Sequence, residues 1–408
     1  MVDGGRLWKR LRELAEIGEH QEGGVARLSF TPEERAAKDL VASYMREAGL
    51  AVREDAVGNL FGRRKGRDPD APAVLIGSHV DSVRNGGDFD GPLGVLGGIE
   101  VLQTMDEEGV ETERPVEVVA FTDEEGARFS LGMIGSRALT GELSREDLRH
   151  EDQHGVSIAE AMREAGLDPA GIGEAARSSD SLAAYLELHI EQGKVLEGEG
   201  LPVGVVRGIA GPVWLRLSLS GEAGHAGTTP MGARRDALAA AEVVGIVEEE
   251  AAATGSTVGT VGQIGVRPGG INIIPGRVDL SLDLRDIEEA ARDGVEGRIR
   301  EWAGEACGRR GIELEFEEIQ RLAPAPCSGE IRAAIAAACE GEGIRPFSLP
   351  SGAGHDGMHV VRLCPMGMIF VRSRDGISHN PKEWSSPEDC EAGCKVLYSA
   401  VLDVAGRG

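Results

Sequence analysis

Features of nucleic-acid-binding and membrane proteins are scarce in this 408-residue sequence. Aromatic residues make up only 4% of it, which argues against the aromatic platforms on which single-stranded nucleic acids stack. Acidic residues outnumber basic ones by 69 to 43, a net charge of −26, so the chain repels phosphate backbones and anionic lipids. No run approaches the roughly 18 apolar residues of a membrane span. We therefore expect neither nucleic acid nor membrane as a partner.

Paired cysteines are lacking as well. All six cysteines lie in the last quarter of the chain, and none belongs to a CxxC pair. This pattern argues against a structural zinc knuckle and against a disulfide framework. Cys390 and Cys394 are four residues apart in a predicted helix, as expected of buried free thiols. The sequence thus predicts a cytoplasmic protein without structural disulfides.

The first half of the chain alternates helices and strands. Helices are predicted at 31–49 and 94–106, and strands at 73–77, 116–121 and 183–190. Such alternation is typical of an α/β sheet covered by helices. A length of 408 residues exceeds what one hydrophobic core usually supports, so we expect about two domains.

The middle of the chain has a different rhythm. Its predicted order, βαββαβ, is that of the ferredoxin-like split unit; the elements are a strand at 213–220, a helix at 233–253, strands at 257–266 and 277–285, a helix at 288–309 and a strand at 312–319. After Pro324 and Pro326 the α/β pattern returns. We therefore predict a discontinuous α/β domain, 1–211 and 327–408, interrupted by a compact α+β domain, 212–326.

Residues of the metal-ligating type follow strands or lie in turn-rich loops of the α/β part. They are His79, Asp81, Asp90, Glu124, Glu125, His189 and His379. Sites in open α/β sheets form at the carboxyl ends of strands, and imidazole with carboxylate suits Zn, Mn, Co or Ni. Taken singly, each segment also fits an ordinary solvated loop. The residues alone leave both a dinuclear metal site and a set of polar loops open.

The sequence resembles the aminoacylase/carboxypeptidase-type (M20-type) superfamily of dinuclear metallohydrolases, and within it the hydantoinase/carbamoylase branch. The resemblance covers essentially the whole chain, and the number, order and separation of its motifs make it specific. The matching motifs are Gly77–Ser82, Gly86–Gly94, Asp123–Phe129, Glu187–Gly193, Gly224–Pro230, Asn272–Gly276, Ser351–Asp356 and Gly376–Pro381. It implies a discontinuous, zinc-peptidase-like catalytic domain with an inserted ferredoxin-like domain for lid closure and dimerisation.

The resemblance also implies two divalent metal ions per subunit, Mn, Co, Ni or Zn, bridged by Asp90. His79 and His189 would bind one ion, and Glu125 and His379 would bind the other.

Two further carboxylates have implied roles beside the metals. Glu124 matches the general base that activates water. Asp81 matches the carboxylate that fixes an imidazole ring of the metal site.

For the substrate, the resemblance implies a set of anchoring residues. Gln192, Gly352 and Gly354 would hold the ureido and carboxylate ends, and Asn272 with Arg285 would clamp the carboxylate. His355 and Asp356 could merely shape the same loop as the two glycines. His225 would stabilise the tetrahedral oxyanion in the site of a partner subunit, which implies a homodimer.

The implied substrate is a small ureido acid. The flanks Gly208–Trp214, Met368–Ser373 and Pro381–Trp384 are most similar to hydrolases of N-carbamoyl-L-amino acids, which release the L-amino acid, CO2 and NH3. Allantoate amidohydrolase and β-ureidopropionase are the alternatives within the branch. A metal-dependent binding protein without catalysis is the alternative of a different class.

Overall fold

The chain folds into two compact units, seen in a computed structural model that describes residues 1–20 and 23–406. The first unit comprises Met1–Gly208 and the C-terminal segment from Pro326, and the second comprises Ile209–Ala325. The predicted domain boundaries, 211/212 and 326/327, lie three residues and one residue beyond these. Within the described residues, no helix combines the length and apolar character needed to cross a bilayer.

The N-terminal segment of the first unit alternates helices and strands, as the sequence predicts. Its helices are α1 (Gly4–Ala15), α2 (Pro32–Glu47), α3 (Pro92–Glu107), α4 (Ile134–Leu139), α5 (Ile158–Glu164) and α6 (Val195–Glu199). Its strands are β1 (Ala51–Glu54), β2 (Leu60–Arg64), β3 (Ala73–His79), β4 (Val116–Phe121), β5 (Leu182–Ile190) and β6 (Val203–Ile209). Short 3-10 helices span Asp147–Arg149 and Pro169–Ala175.

The second unit follows directly. Its strands are β7 (Gly211–Ser220), β8 (Gly224–His225), β9 (Val258–Thr260), β10 (Ile264–Arg267), β11 (Ile273–Ile274), β12 (Arg277–Asp286) and β13 (Glu313–Arg321). Its helices are α7 (Val243–Ala252) and α8 (Glu289–Arg310), with 3-10 turns at Met231–Ala233 and Leu238–Glu242.

The C-terminal segment returns to the first unit. After the short strand β14 (Ala325–Pro326), its elements are α9 (Gly329–Gly341), β15 (Ser348–Ser351), α10 (Gly357–Val360), β16 (Met366–Val371), a 3-10 turn at Arg374–Gly376 and α11 (Pro387–Ala405). All six cysteines in the described part of the chain are buried free thiols, and Cys390 and Cys394 lie on α11, which confirms the prediction.

One mixed sheet organises the first unit. Its order is β1-β2-β4-β3-β5-β16-β6-β14, with β15 beside β6. The central strands β4, β3, β5 and β16 pair in parallel, and the outer strands β1, β2 and β6 pair antiparallel. Every residue of β3 and β4 is buried, as is typical of parallel strands with both faces covered. The carboxyl ends of β3, β4 and β5 therefore meet at one edge of the sheet.

Helix packing fixes that edge in place. Helix α3 connects β3 to the parallel strand β4 and begins with Pro92, whose fixed φ suits the first helical position. Nearly all of its apolar residues are buried, because it packs in a core shared with α1, α2, α9, α11 and the sheet. Helix α2 is capped by Thr31, whose side chain accepts a hydrogen bond from Glu34 N.

The second unit has an antiparallel sheet of order β10-β12-β7-β13, with β9 also paired to β12. Alternate apolar residues of β7 and β12 pack with α7 and α8 in a separate core. The succession of strands and helices is the βαββαβ order that the sequence predicts. A small ribbon of β8 and β11 pairs His225 with Ile273.

Two predicted elements of this unit differ from the structure. The strand predicted at 257–266 is divided into β9 and β10, because the register against β12 shifts by one residue between Thr260 and Ile264. The helix predicted at 233–253 is helical only from Leu238 onward. The backbone before Leu238 forms hydrogen bonds with other segments instead of within a helix: Arg235 O accepts from Glu222 N, and Ala237 N donates to Pro275 O.

Candidate active site

The parallel strands bring four of the candidate residues to one edge of the sheet. His79 is the last residue of β3, where it pairs with Phe121 at the end of β4. Glu124 and Glu125 follow β4, and His189 lies near the end of β5. Because these three strands are parallel neighbours, their carboxyl ends place the side chains together.

His79 and His189 face the same oxygen of Asp90. Their Nε2 atoms lie 3.8 Å and 3.1 Å from Asp90 Oδ1. The opposite ring nitrogens contact backbone carbonyls, with His79 Nδ1 3.1 Å from Asp81 O and His189 Nδ1 2.9 Å from Ile190 O. Nδ1 therefore donates to a backbone carbonyl in each ring, and Nε2 is the nitrogen that faces Asp90.

The other oxygen of Asp90 faces a second group. His379 Nε2 lies 3.3 Å from Asp90 Oδ2 and 3.4 Å from Glu125 Oε2. His79, Asp90 and His189 thus form one triad of donor atoms, and Asp90, Glu125 and His379 form another. The triads differ in exposure, because the His379 side chain is 50% exposed and those of His79 and His189 are 1% exposed. Asp90 belongs to both triads.

The adjacent residues Glu124 and Glu125 turn to opposite triads. Glu124 Oε2 lies 3.7 Å from His79 Nε2, whereas Glu125 contacts His379. The carboxylate of Asp81 holds the turn, accepting from Glu124 N at 3.3 Å and Glu125 N at 3.2 Å. Asp81 also lies against His79, where its carbonyl is nearer to the ring than its carboxylate, which is 3.6 Å away.

The electrostatics of the cluster favour a cation. Burial, and after it the charge of neighbouring carboxylates, raises the pKa of Glu124 and of Glu125 well above the ordinary value. Burial also opposes ionisation of Asp90, but its contacts with His189 and His379 outweigh burial and hold the pKa of Asp90 well below its usual range. Burial lowers the pKa of His189, but Asp90 raises it to a net value of about 9. The cluster attracts protons, and a divalent cation would compete for the same positions.

The donor atoms fit divalent transition-metal ions. Among the described residues, neither His79 Nε2 nor His189 Nε2 makes a well-oriented hydrogen bond, although both are buried and His189 Nε2 lies 3.1 Å from Asp90 Oδ1. Such atoms are costly unless they are paired or bind a metal. Each triad supplies nitrogen and oxygen ligands of the kind that Zn, Mn, Co and Ni accept, and three protein ligands leave coordination positions open. This geometry indicates a candidate site for a divalent metal ion.

Three residues of the candidate substrate set lie in the first unit. Gln192 has a φ of 56° and donates from Nε2 to Asp90 Oδ2 at 2.7 Å, so it is placed directly at the second triad. Gly352 and Gly354 lie in the loop between β15 and α10. His355, in the same loop, packs its ring against His189 at a centroid distance of 4.5 Å.

The remaining candidates lie in the second unit. His225 is exposed, and its Nδ1 accepts from Gly227 N at 3.0 Å and Thr228 N at 3.2 Å. The proton of the neutral ring is therefore on Nε2, which can donate. Asn272 is also exposed, and its carbonyl accepts from Ala226 N at 3.0 Å, which places it beside His225.

Arg285 is placed differently. It pairs with Asp283 at 2.8 Å and lies near the end of β12 that is remote from the β8–β11 ribbon. Arg285 lies eight positions along the strand from Arg277, roughly 26 Å at 3.3 Å per position. The structure therefore brings His225 and Asn272 together and does not place Arg285 beside them.

Sequence reasoning missed Glu383 and Ser378 as parts of the site. Glu383 accepts from Phe89 N and Asp90 N, and Ser378 Oγ lies 2.8 Å from both Asp90 Oδ2 and Glu383 Oε2. Burial, followed by the charge of Asp90, raises the pKa of Glu383 to about 7. The signals in the sequence are that Ser378 lies in the motif Gly376–Pro381, Glu383 lies in the flank Pro381–Trp384, and both are close to His379, at one and four positions from it.

Comparison with known proteins identifies the family. Residues 75–403 match the family described as Peptidase family M20/M25/M40. The chain belongs to this family. An N-carbamoyl-L-amino acid amidohydrolase of Geobacillus stearothermophilus is 58% identical over 406 residues, which cover 99% of each chain. An allantoate amidohydrolase of Bacillus subtilis is 36% identical over 397 residues, 96% of this chain and 95% of that protein.

The fold agrees with the same branch. A crystal structure of a hydantoinase/carbamoylase-family amidase from Burkholderia multivorans matches with a TM-score of 0.93 at 39% identity, covering 99% of this chain and 98% of that chain. The chain is therefore an M20-family hydrolase of amide C–N bonds, which confirms the predicted family and enzyme class.

Proposed function

We propose that the protein hydrolyses N-carbamoyl-L-amino acids with the aid of two divalent metal ions. The balanced reaction is R–NH–CO–NH2 + H2O → R–NH2 + CO2 + NH3. The high identity to a carbamoyl-amino acid amidohydrolase over the full length of both chains supports the substrate class. The observation that carries the metal chemistry is the sharing of one carboxylate, Asp90, by two triads of nitrogen and oxygen donors.

In this proposal His79 and His189 would hold one ion, Glu125 and His379 would hold the other, and Asp90, which belongs to both triads, would serve both. When bound, a pair of divalent ions supplies Lewis acidity, which lowers the pKa of water and polarises a carbonyl. Lewis acidity is needed because the nitrogen lone pairs make a ureido carbonyl a poor electrophile. Mn, Co, Ni and Zn are the candidate metals.

Glu124 is the proposed general base. Its carboxylate faces His79 from outside the two triads, and it belongs to neither group of candidate ligands. A raised pKa suits a group that must take a proton from water and then give it to the leaving nitrogen. Asp81 supports this role, because it fixes the backbone amides of both Glu124 and Glu125.

His225 is the proposed donor to the tetrahedral oxyanion, acting in the site of a partner subunit within a homodimer. The backbone fixes its tautomer with the proton on Nε2, the form that a hydrogen-bond donor requires. Asn272 is held beside it by the main chain and would act with it.

Arg285, Gln192, Gly352 and Gly354 are the proposed substrate anchors. A guanidinium group binds a carboxylate with two parallel hydrogen bonds, so Arg285 would exchange Asp283 for the substrate carboxylate. Gln192, with the Gly352 and Gly354 loop, would bind the ureido end. The first unit would be the catalytic domain of a cytoplasmic enzyme, and the second its lid and dimerisation domain.

The test compares substrates and metal states of the purified protein. We expect N-carbamoyl-L-methionine to be hydrolysed with a higher kcat/KM than allantoate or β-ureidopropionate, and N-carbamoyl-D-methionine to be inert. Chelator-stripped protein should lose the activity and regain it with Mn, Co, Ni or Zn. A preference for allantoate would assign the protein to that activity instead. Metal binding without turnover of any of these compounds would favour a binding protein.

A further inference from the structure

Glu383 is a carboxylate beside the site that belongs to neither triad. Its side chain is buried, and Oε1 accepts hydrogen bonds from Phe89 N at 2.9 Å and Asp90 N at 3.1 Å. Oε2 lies 2.8 Å from Ser378 Oγ. Glu383 therefore connects the backbone that carries Asp90 to the loop that carries His379.

Trp384, the residue after Glu383, also contacts the segment before Asp90. The Trp384 ring packs against Phe89 at a centroid distance of 5.7 Å and against Trp8 at 5.3 Å, and Trp8 stacks on Phe89 at 5.6 Å. Phe89 is thus held by its side chain through Trp384 and by its amide through Glu383.

The loop before Asp90 leaves space for this carboxylate. A Cβ atom added at Gly87 would lie 2.2 Å from the carboxyl carbon of Glu383, which is closer than atoms can approach. The glycine therefore admits Glu383 to the backbone amides that it binds.

The position of the Asp90 backbone decides where its two oxygens lie. Oδ1 faces His79 and His189, and Oδ2 faces His379. Ser378 Oγ also lies 2.8 Å from Asp90 Oδ2, so the same loop contacts Asp90 at both its backbone and its side chain. A shift of this backbone would displace a ligand of both triads at once.

We propose that Glu383 is a positioning residue that aligns Asp90 with both triads and thereby sets the affinity for both metal ions. This inference rests on the metal site of the proposed function. Glu383, which lies outside both triads, would thus have a role in metal binding that is separate from the proposed role of Glu124 as general base.

The test titrates apo-protein with Co²⁺ alone in competition with a chromophoric chelator. This measurement gives the number of ions bound, their affinities and the visible absorption that reports ligand geometry. Partners beyond the ligands typically contribute 10–100-fold to metal affinity, so we expect Glu383→Ala to weaken both ions by about this factor and to alter the Co²⁺ spectrum. Glu383→Gln keeps an oxygen for the two amides and should lose less than about 10-fold.

A matched control is Glu100→Gln. Glu100 is a fully buried carboxylate of the same unit that accepts from Asp3 N at 2.9 Å and pairs with Arg6, and it lies on α3 outside both triads. Its replacement should lower the thermal stability of the apo-protein without changing the Co²⁺ affinities or spectrum. The inference would be supported if the Co²⁺ affinity rises from Glu383→Ala to Glu383→Gln to wild type and Glu100→Gln binds Co²⁺ as tightly as wild type.

Three results would overturn it in distinguishable ways. If wild-type protein binds two Co²⁺ ions and folded Glu383→Ala binds both with unchanged affinity and spectrum, Glu383 has no positioning role and the proposed function stands. If wild-type protein fails to bind two ions, the metal site of the proposed function fails, and this inference fails with it. Equal losses in the Glu383 and Glu100 variants would show a general effect of stability and would also overturn it.

Discussion

The candidate residues of the two units are held in opposite ways. In the first unit, His79 and His189 are buried, and each ring contacts a backbone carbonyl at or just after the end of its own strand. The backbone amide of Asp90 donates to Glu383. In the second unit, His225 and Asn272 are exposed, and each is fixed mainly by its own backbone turn or ribbon.

This difference distinguishes the two triads, which one chain assembles by itself, from the exposed donors His225 and Asn272, which their own unit does not enclose. The two triads are assembled within one folded unit, so metal binding should need nothing beyond that unit. The exposed donors have no such enclosure in their own unit, and Arg285 is remote from them along β12. We expect substitutions in the first unit to abolish chemistry or metal binding, and those in the second to reveal cooperation between subunits or changes in substrate affinity.

The largest effect is expected for Glu124→Gln. The amide cannot accept the proton of the attacking water, and general bases typically contribute about 10²–10⁴-fold to the rate. kcat should fall by this factor. The fold should be retained, because Gln preserves the volume of the side chain. Metal analysis should still find the wild-type content, since Glu124 is in neither triad. Wild-type turnover in this variant would remove the base assignment.

The next largest effect is expected for His225→Ala, which removes the proposed oxyanion donor. Such losses typically cost about 10²–10³-fold in kcat. Mixing His225→Ala with Glu124→Gln subunits tests the trans role, because a mixed dimer would pair intact Glu124 of one subunit with intact His225 of the other. Activity should reappear on mixing. A mixture of Glu124→Gln with His379→Ala, both altered in the first unit, should stay inactive. Failure of both mixtures would place His225 in its own subunit's site.

A smaller effect, on KM, is expected for Arg285→Ala. Loss of a charged hydrogen-bonding partner costs about 1.5–3 kcal/mol, or about 10–150-fold in KM. Arg277→Ala is the matched control, because Arg277 lies on the same strand and pairs with Asp279 two residues away at 2.9 Å, as Arg285 pairs with Asp283. Steady-state kinetics with N-carbamoyl-L-methionine should show the change only for Arg285→Ala. Equal changes in both variants would indicate a general disturbance of β12.

The same comparison shows what could be predicted from the sequence. His79, Glu125 and His189 follow local rules, since each lies within the last two residues of an apolar strand or shortly after its end, and parallel strands align their ends. Glu383 could not be found in this way, because its partner Phe89 is 294 residues away and no local pattern joins them. The break between β9 and β10 also escaped prediction, since it depends on register against β12. Strand periodicity predicts which residues reach an edge, and contacts between distant loops decide how they are held.

The smallest expected effect tests whether close packing sets the geometry of the first unit. Gly91 has a φ of 82°, and an added Cβ would lie 2.5 Å from the His79 ring. Gly166 has nearly the same φ, 84°, but nothing lies within 4 Å of its added Cβ. A positive φ costs an alanine about 1–2 kcal/mol in the left-handed region, and the ψ of −57° at Gly91 lies outside that region and adds to the cost there. Gly91→Ala also adds overpacking, about 1–3 kcal/mol, so its apo-protein should be less stable than that of Gly166→Ala by at least this amount in denaturant unfolding. Gly91→Ala should also bind Co²⁺ more weakly, because His79 must move. Equal stability and equal metal affinity in the two variants would show that Gly91 does not set the position of the His79 ring.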